Sequence, residues 1–195
     1  MPKWERLKFL MDKQGFDRKL EQAAVLYGQP TQEVMRIDHY YDDEALSLSR
    51  RGLFVRIRQD KTKPFFVCIR HDGVGETHLS IHEDGKPKDG FTVNEEAGYT
   101  DDGIPEEINL PEYGRLTRKG CLTSFRRSFF ARLPVRLDMD VNTYLGLTDY
   151  VAELKYDYGY KYAMEVKREL GFRKKGIVQN KMVRFFAELE RINVK

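Results

Sequence analysis

Apolar residues recur along this chain with two different periods. Phe16, Leu20, Ala23, Ala24 and Leu26 fall at helical spacing, with Asp12 placed to cap the start and Gly28 and Pro30 placed to end it, so residues 12–30 predict a helix. Two closing helices are predicted over 158–172 and 177–192, and one or two short ones over 104–120. Elsewhere the period is two. Strand-like runs cover 4–11, 34–42, 52–59, 65–71, 75–82, 123–133, 134–141 and 149–156, several separated by Gly- and Asp-rich punctuation such as "HDGVGE" and "EDGKPKDG". Eight strands and few crossover helices predict an α+β chain built on an antiparallel sheet, closed or nearly closed.

Alternation along each strand separates two chemistries. In "GLFVRIRQD", residues 52–60, Leu53, Val55 and Ile57 share one face while Phe54, Arg56 and Arg58 share the other. Other strands repeat this division. Leu7, Phe9 and Met11 oppose Arg6 and Lys8; Val67 and Ile69 oppose Arg70; Leu79 and Ile81 oppose Glu76 and His78. Phe125 and Phe129 oppose Arg126, Leu137 and Met139 oppose Arg136, Asp138 and Asp140, and Ala152 and Leu154 oppose Val151, Glu153 and Lys155. Two architectures satisfy the pattern. A sheet can pack its apolar face on helices and leave the ionic face in water, or it can curl so that the ionic faces line a channel. Periodicity alone does not choose between them.

Composition narrows the function classes. A chain of 195 residues with 33% charged and 41% hydrophobic residues is long enough, and apolar enough, for one folded domain over 1–195. The formal charge is only +3, so net charge gives no reason to expect general DNA or RNA binding, and any functional charge has to be a local arrangement. Two cysteines supply neither a disulfide framework nor a thiolate zinc site. No apolar run is long enough to span a membrane and no N-terminal leader is evident, so a reduced, cytoplasmic protein is expected.

The order of the ionic strands carries a family resemblance. "HYYDDEALSLSRRGLFVRIRQD" resembles the signature of the CYTH superfamily, the triphosphate tunnel metalloenzymes, in which a Tyr-aromatic-Asp segment leads through a basic turn to an R-x-R strand. "FFVCIRH", "GETHLSI", "SFRRSFFARLPVRLDMD", "TDYVAELKY" and "QNKMVRFF" follow in the family's order, and "WERLKF" falls where an N-terminal E-x-E-x-K motif belongs. The resemblance spans nearly the whole chain and is greatest to the small stand-alone bacterial members. It implies an eight-stranded antiparallel barrel enclosing a charged tunnel, with helices outside. It further implies phosphate binding by Lys8, Arg56, Arg58, Arg70, Arg126 and Lys181, and Mg²⁺ or Mn²⁺ held by Glu76, Asp138 and Glu153. Arginine suits such a wall because its planar fork pairs two phosphate oxygens and stays charged. Metal bridging of phosphate oxygens, in turn, demands clustered carboxylates.

The sequence departs from the family pattern on the acidic side. Trp4, Arg6 and Val151 stand where glutamates are expected. Bases on the presumptive inner faces (Arg6, Lys8, Arg56, Arg58, Arg70, Arg126, Arg136 and Lys155) outnumber the acids Glu76, Asp138, Asp140 and Glu153. Two functional classes follow. One is a metal-dependent triphosphatase, an acid anhydride hydrolase, acting on inorganic, thiamine or nucleoside triphosphate. The other is an inactive relative that binds a triphosphate, polyphosphate or nucleotide through the same bases. Adenylate cyclases also occur in the family, but nothing in this sequence reads an adenine ring. On residue types alone, the arginines can equally be solvated sheet-face groups, Glu76 and Glu153 can be their ion-pair partners, Asp138 can order an arginine, and Lys181 can be a surface helix lysine.

Overall fold

Both periods segregate as the side-chain pattern requires. The computed structural model describes residues 5–60, 63–71, 75–80, 92–101, 103–173 and 178–194, with the backbone alone described at 60, 63–71 and 75–80. In chain order the elements are β1 (Glu5–Met11), α1 (Lys13–Tyr27), β2 (Gln32–Asp42), α2 (Ser47–Arg50), β3 (Leu53–Asp60), β4 (Lys63–His71) and β5 (Gly75–Ser80). They continue with β6 (Thr92–Val93), β7 (Glu107–Leu110), β8 (Gly114–Arg132), β9 (Val135–Tyr144), β10 (Leu147–Tyr156), α3 (Tyr160–Glu169) and α4 (Lys181–Asn193). Eight strands form one antiparallel hydrogen-bonded path, β1-β10-β9-β8-β2-β3-β4-β5, and β6 and β7 attach to it through β8. Among the described residues no helix is long and apolar enough to cross a membrane.

The chain divides into two compact units, one formed by residues 1–35 and 124–180 and the other by 36–123 and 181–195. In the first, β1, β10 and β9 align Leu7 with Leu154 and Leu137, and Phe9 with Ala152 and Met139. These rows face a core completed by Phe16 and Ala23 of α1 and by Ala163 and Val166 of α3. Fully burying one such large side chain stabilises by about 1.5–3 kcal/mol. Helix α1 starts where the Asp12 carboxylate accepts the Gly15 N–H at 2.6 Å and stops at Gly28, whose φ of 82° glycine tolerates best.

In the second unit, Leu53, Val55 and Ile57 of β3 pack with Tyr41, Leu48, Ile104 and Ile108. The opposite face of β3 meets α4. Phe54 lies 5.7 Å from Phe186, and Tyr40 lies 4.6 Å from Phe185, ring centroid to centroid. The helices predicted over 104–120 are not formed; β7, a tight turn and the start of β8 stand there instead. Ile108, Leu110 and Leu116 are all fully buried at even spacing, which is a strand period, and Gly114 at φ 69° closes the hairpin. Pro111 and Gly114 lie in the turn of that hairpin, between β7 and the start of β8.

Candidate functional site

Each unit carries its own buried ionic cluster. In the second unit, the register of β2 and β3 sets Asp38 opposite Arg58 and Tyr40 opposite Arg56, so the four side chains share one face. Arg58 donates from Nε to Asp38 Oδ1 at 2.6 Å and from Nη2 to Oδ2 at 3.0 Å. Arg56 Nη1 lies 3.4 Å from the same Oδ2, and Lys181 Nζ lies 2.7 Å from it. Lys181 is the first residue of α4 and precedes Phe185 by one helical turn, so the packing of Phe185 on Tyr40 also aims the ammonium at Asp38.

Asp38 is fully buried and Arg56 nearly so, while the Arg58 and Lys181 side chains keep 16% and 21% of their exposure. Burial pushes the Asp38 carboxyl up, but Lys181, Arg56 and Arg58 outweigh it and hold the group far below the usual carboxylate range. Burial pushes Lys181 down to about 8, against the attraction of Asp38 and with help from the two arginines. Three cations thus converge on one carboxylate. Guanidinium and ammonium groups gathered in this way can also pair with the oxygens of an oxyanion.

The first unit holds the second cluster. Lys8 on β1, Glu153 on β10 and Asp138 on β9 stand in one row across three strands. Asp138 is fully buried, and donors or cations stand against both of its carboxylate oxygens. Its Oδ1 accepts from Ser128 Oγ and from Arg136 Nε, both at 2.7 Å, and its Oδ2 lies 2.7 Å from Lys155 Nζ and 2.9 Å from Arg126 Nη1. Arg126 forks onto Asp140 through Nε at 2.7 Å and Nη2 at 2.5 Å. Glu153 has Lys155 at 3.4 Å and both Arg126 and Lys8 at 3.9 Å, and Lys8 donates to Asn180 Oδ1 at 2.5 Å. Burial pulls the Asp138 carboxyl up, but Arg126 and Lys155 prevail and bring it to about 2.

This donor set does not fit a divalent ion. A Mg²⁺ site needs carboxylate oxygens facing an open position at roughly 2.0–2.1 Å from the metal. Here the oxygens of Asp138, Asp140 and Glu153 face ammonium and guanidinium groups. Among the described residues no group of three His, Cys, Asp or Glu side chains is arranged to hold a metal.

The residues singled out by sequence therefore fall as follows. Arg56, Arg58 and Lys181 are brought together on Asp38; Lys8, Arg126, Asp138 and Glu153 are brought together in the other unit. Arg70 and Glu76 are directly opposed in the β4–β5 register, and only their backbone is described. Trp4 lies outside the described residues; Arg6 is exposed, and Val151 is buried opposite Asp140. Asp38 was not singled out, although its alternation with Tyr40 on a strand pairing with R-x-R is the signal that places it.

No family model matches the chain, and no curated protein matches it by sequence. Solved structures match along nearly its whole length. A candidate adenylate cyclase from Bacillus halodurans superposes with a TM-score of 0.59 at 21% identity, over 95% of this chain and 100% of its own. A Pyrococcus horikoshii protein does so with a TM-score of 0.57 at 14% identity, over 98% and 99%. A candidate adenylyl cyclase from Hippeastrum with a dominant triphosphatase activity gives 0.60 at 13% identity, over 95% of both chains. The likeness is one of fold: the antiparallel architecture of this chain is the one these solved structures share.

Proposed function

We propose that the chain binds the phosphate groups of a triphosphate, a polyphosphate or a nucleotide at the base cluster around Asp38, and that it does so without a divalent ion. The observation that carries this reading is the convergence of bases there: Arg56, Arg58 and Lys181 gather at one buried carboxylate, and Arg58 and Lys181 remain partly exposed. A phosphate oxygen entering beside Arg58 and Lys181, the two partly exposed members, accepts charge-assisted hydrogen bonds from both. The fold-level likeness to a triphosphatase from Hippeastrum supports the same ligand class. That likeness also favours a second reading, metal-dependent hydrolysis, which the ion-paired state of Asp138 and Glu153 weighs against.

Calorimetric titration of tripolyphosphate in EDTA, then with Mg²⁺ or Mn²⁺, while phosphate release is followed, tests both. Binding in EDTA that is weakened by Arg58→Ala, without turnover, is the expected result. Binding that appears only with metal, accompanied by phosphate release, establishes the second reading instead.

A further inference from the structure

The row Lys8–Glu153–Asp138 creates an electrostatic problem that the structure solves internally. Glu153 and Asp138 are direct cross-strand neighbours, both buried, and two carboxylates so placed repel unless a cation stands between them. That cation is supplied by the chain. Lys155 lies two residues beyond Glu153 on the same strand face, and its Nζ reaches Asp138 Oδ2 at 2.7 Å and Glu153 Oε2 at 3.4 Å. At 2.7 Å from Asp138 Oδ2 the Lys155 ammonium makes a close charge–charge contact, as a bound ion would.

We infer that the Lys155 ammonium is a built-in cation that takes the position a metal would need between Asp138 and Glu153, making this cluster a metal-excluding counter-ion set. Charge counting supports the assignment. Among the described ion pairs, the three carboxylates of Asp138, Asp140 and Glu153 are already met by the three cations Arg126, Arg136 and Lys155. A divalent ion added to this set brings two further positive charges into a largely buried site, which is strongly unfavourable. An ammonium suits the position because it is compact, carries three donors and is tethered, so no entropy is lost in capturing it from solution.

The test is Mn²⁺ binding, read from the electron paramagnetic resonance signal of free Mn²⁺, in samples containing no phosphate. It is thus independent of the anion titration, which is run in EDTA. Wild-type protein leaves the free-ion signal intact, whereas Lys155→Gln, which removes the charge and keeps much of the stem, tightens Mn²⁺ binding by about tenfold or more. Lys155→Arg keeps the charge and behaves as wild type. A Lys155→Gln protein that folds only when Mn²⁺ is added gives the same answer. Wild-type binding of Mn²⁺ that disappears in Asp138→Asn overturns the inference. So does a folded Lys155→Gln protein that remains indifferent to Mn²⁺.

Discussion

Lys181 and Asp38, from opposite ends of the sequence, lie 2.7 Å apart, ammonium to carboxylate, with the carboxylate fully buried. The contact fastens the first turn of α4 to β2 through charge, while Phe185 and Phe186 fasten it through ring packing on Tyr40 and Phe54. Removing one partner of a buried ion pair costs more than the pair itself contributes, because the other charges are left uncompensated. Asp38→Asn removes the carboxylate that Arg56, Arg58 and Lys181 share and is expected to destabilise the protein by about 3–5 kcal/mol. An anion that fills the cluster restores part of the loss, so tripolyphosphate raises the melting temperature of Asp38→Asn more than that of wild type. Equal shifts in thermal denaturation would place the anion elsewhere.

Lys181 also gives the proposed binding a pH signature. Burial holds its folded-state pKa at about 8, against 10.5 for a free lysine. Between these values the unfolded chain binds more protons at this group than the folded one, so stability at this position rises as pH increases from about 8 to 10.5. A bound phosphate favours the charged ammonium, which reverses the shift. Tripolyphosphate binding near pH 8.5 is therefore accompanied by proton uptake. Titrations in two buffers of different ionisation heat measure it, and Lys181→Met abolishes the buffer dependence.

Acid titration reads the other cluster. Asp138 is held at about 2 in the fold, against 3.8 for the free group. A depressed carboxyl contributes stability that is fully present above the unfolded value and is lost as pH falls through the folded one. Here the loss runs from about 4 to 2. The shift corresponds to roughly 2 kcal/mol. Urea denaturation at stepped pH should show this slope in wild type and a shallower one in Asp138→Asn, which is already destabilised at neutral pH because Arg126, Arg136 and Lys155 lose their shared partner.

Much of this was legible in the sequence because strand alternation is a local property. The faces carrying Arg56 and Arg58, or Arg136, Asp138 and Asp140, follow from counting by two, and so does the apolar row of Leu137, Met139 and Val141. What alternation does not supply is register. Which group Asp138 meets depends on which residue of β10 stands beside it, and the pairing of Glu153 with Asp138 brings the Lys155 ammonium to 2.7 Å. Asp38 was missed for the same reason: in isolation it is one acid in a mixed strand, and only its place opposite Arg58 makes it the hub of three bases. The hairpin at 107–116 was misread because Ile104 and Ile108 stand four residues apart, a helical spacing, and a following Pro-Glu-Tyr-Gly serves a turn as well as a helix end.

A backbone position supplies one further test of the first unit's packing. Gly159 precedes α3, and a methyl group added there would sit 2.7 Å from Pro134 Cγ and 2.8 Å from its Cδ. The pyrrolidine ring cannot swing aside as a flexible side chain can, so either the β8–β9 turn or the start of α3 has to shift. Gly159→Ala is expected to destabilise by about 1–3 kcal/mol, the usual cost of overpacking. The hairpin of β9 and β10 offers the opposite case. Leu145 holds φ 46° and Gly146 φ 79° in its two-residue turn, a conformation that asparagine adopts more readily than leucine. Leu145→Asn should therefore raise the melting temperature. If both substitutions leave chemical denaturation midpoints unchanged, neither the contact with Pro134 nor the left-handed turn governs stability in this unit.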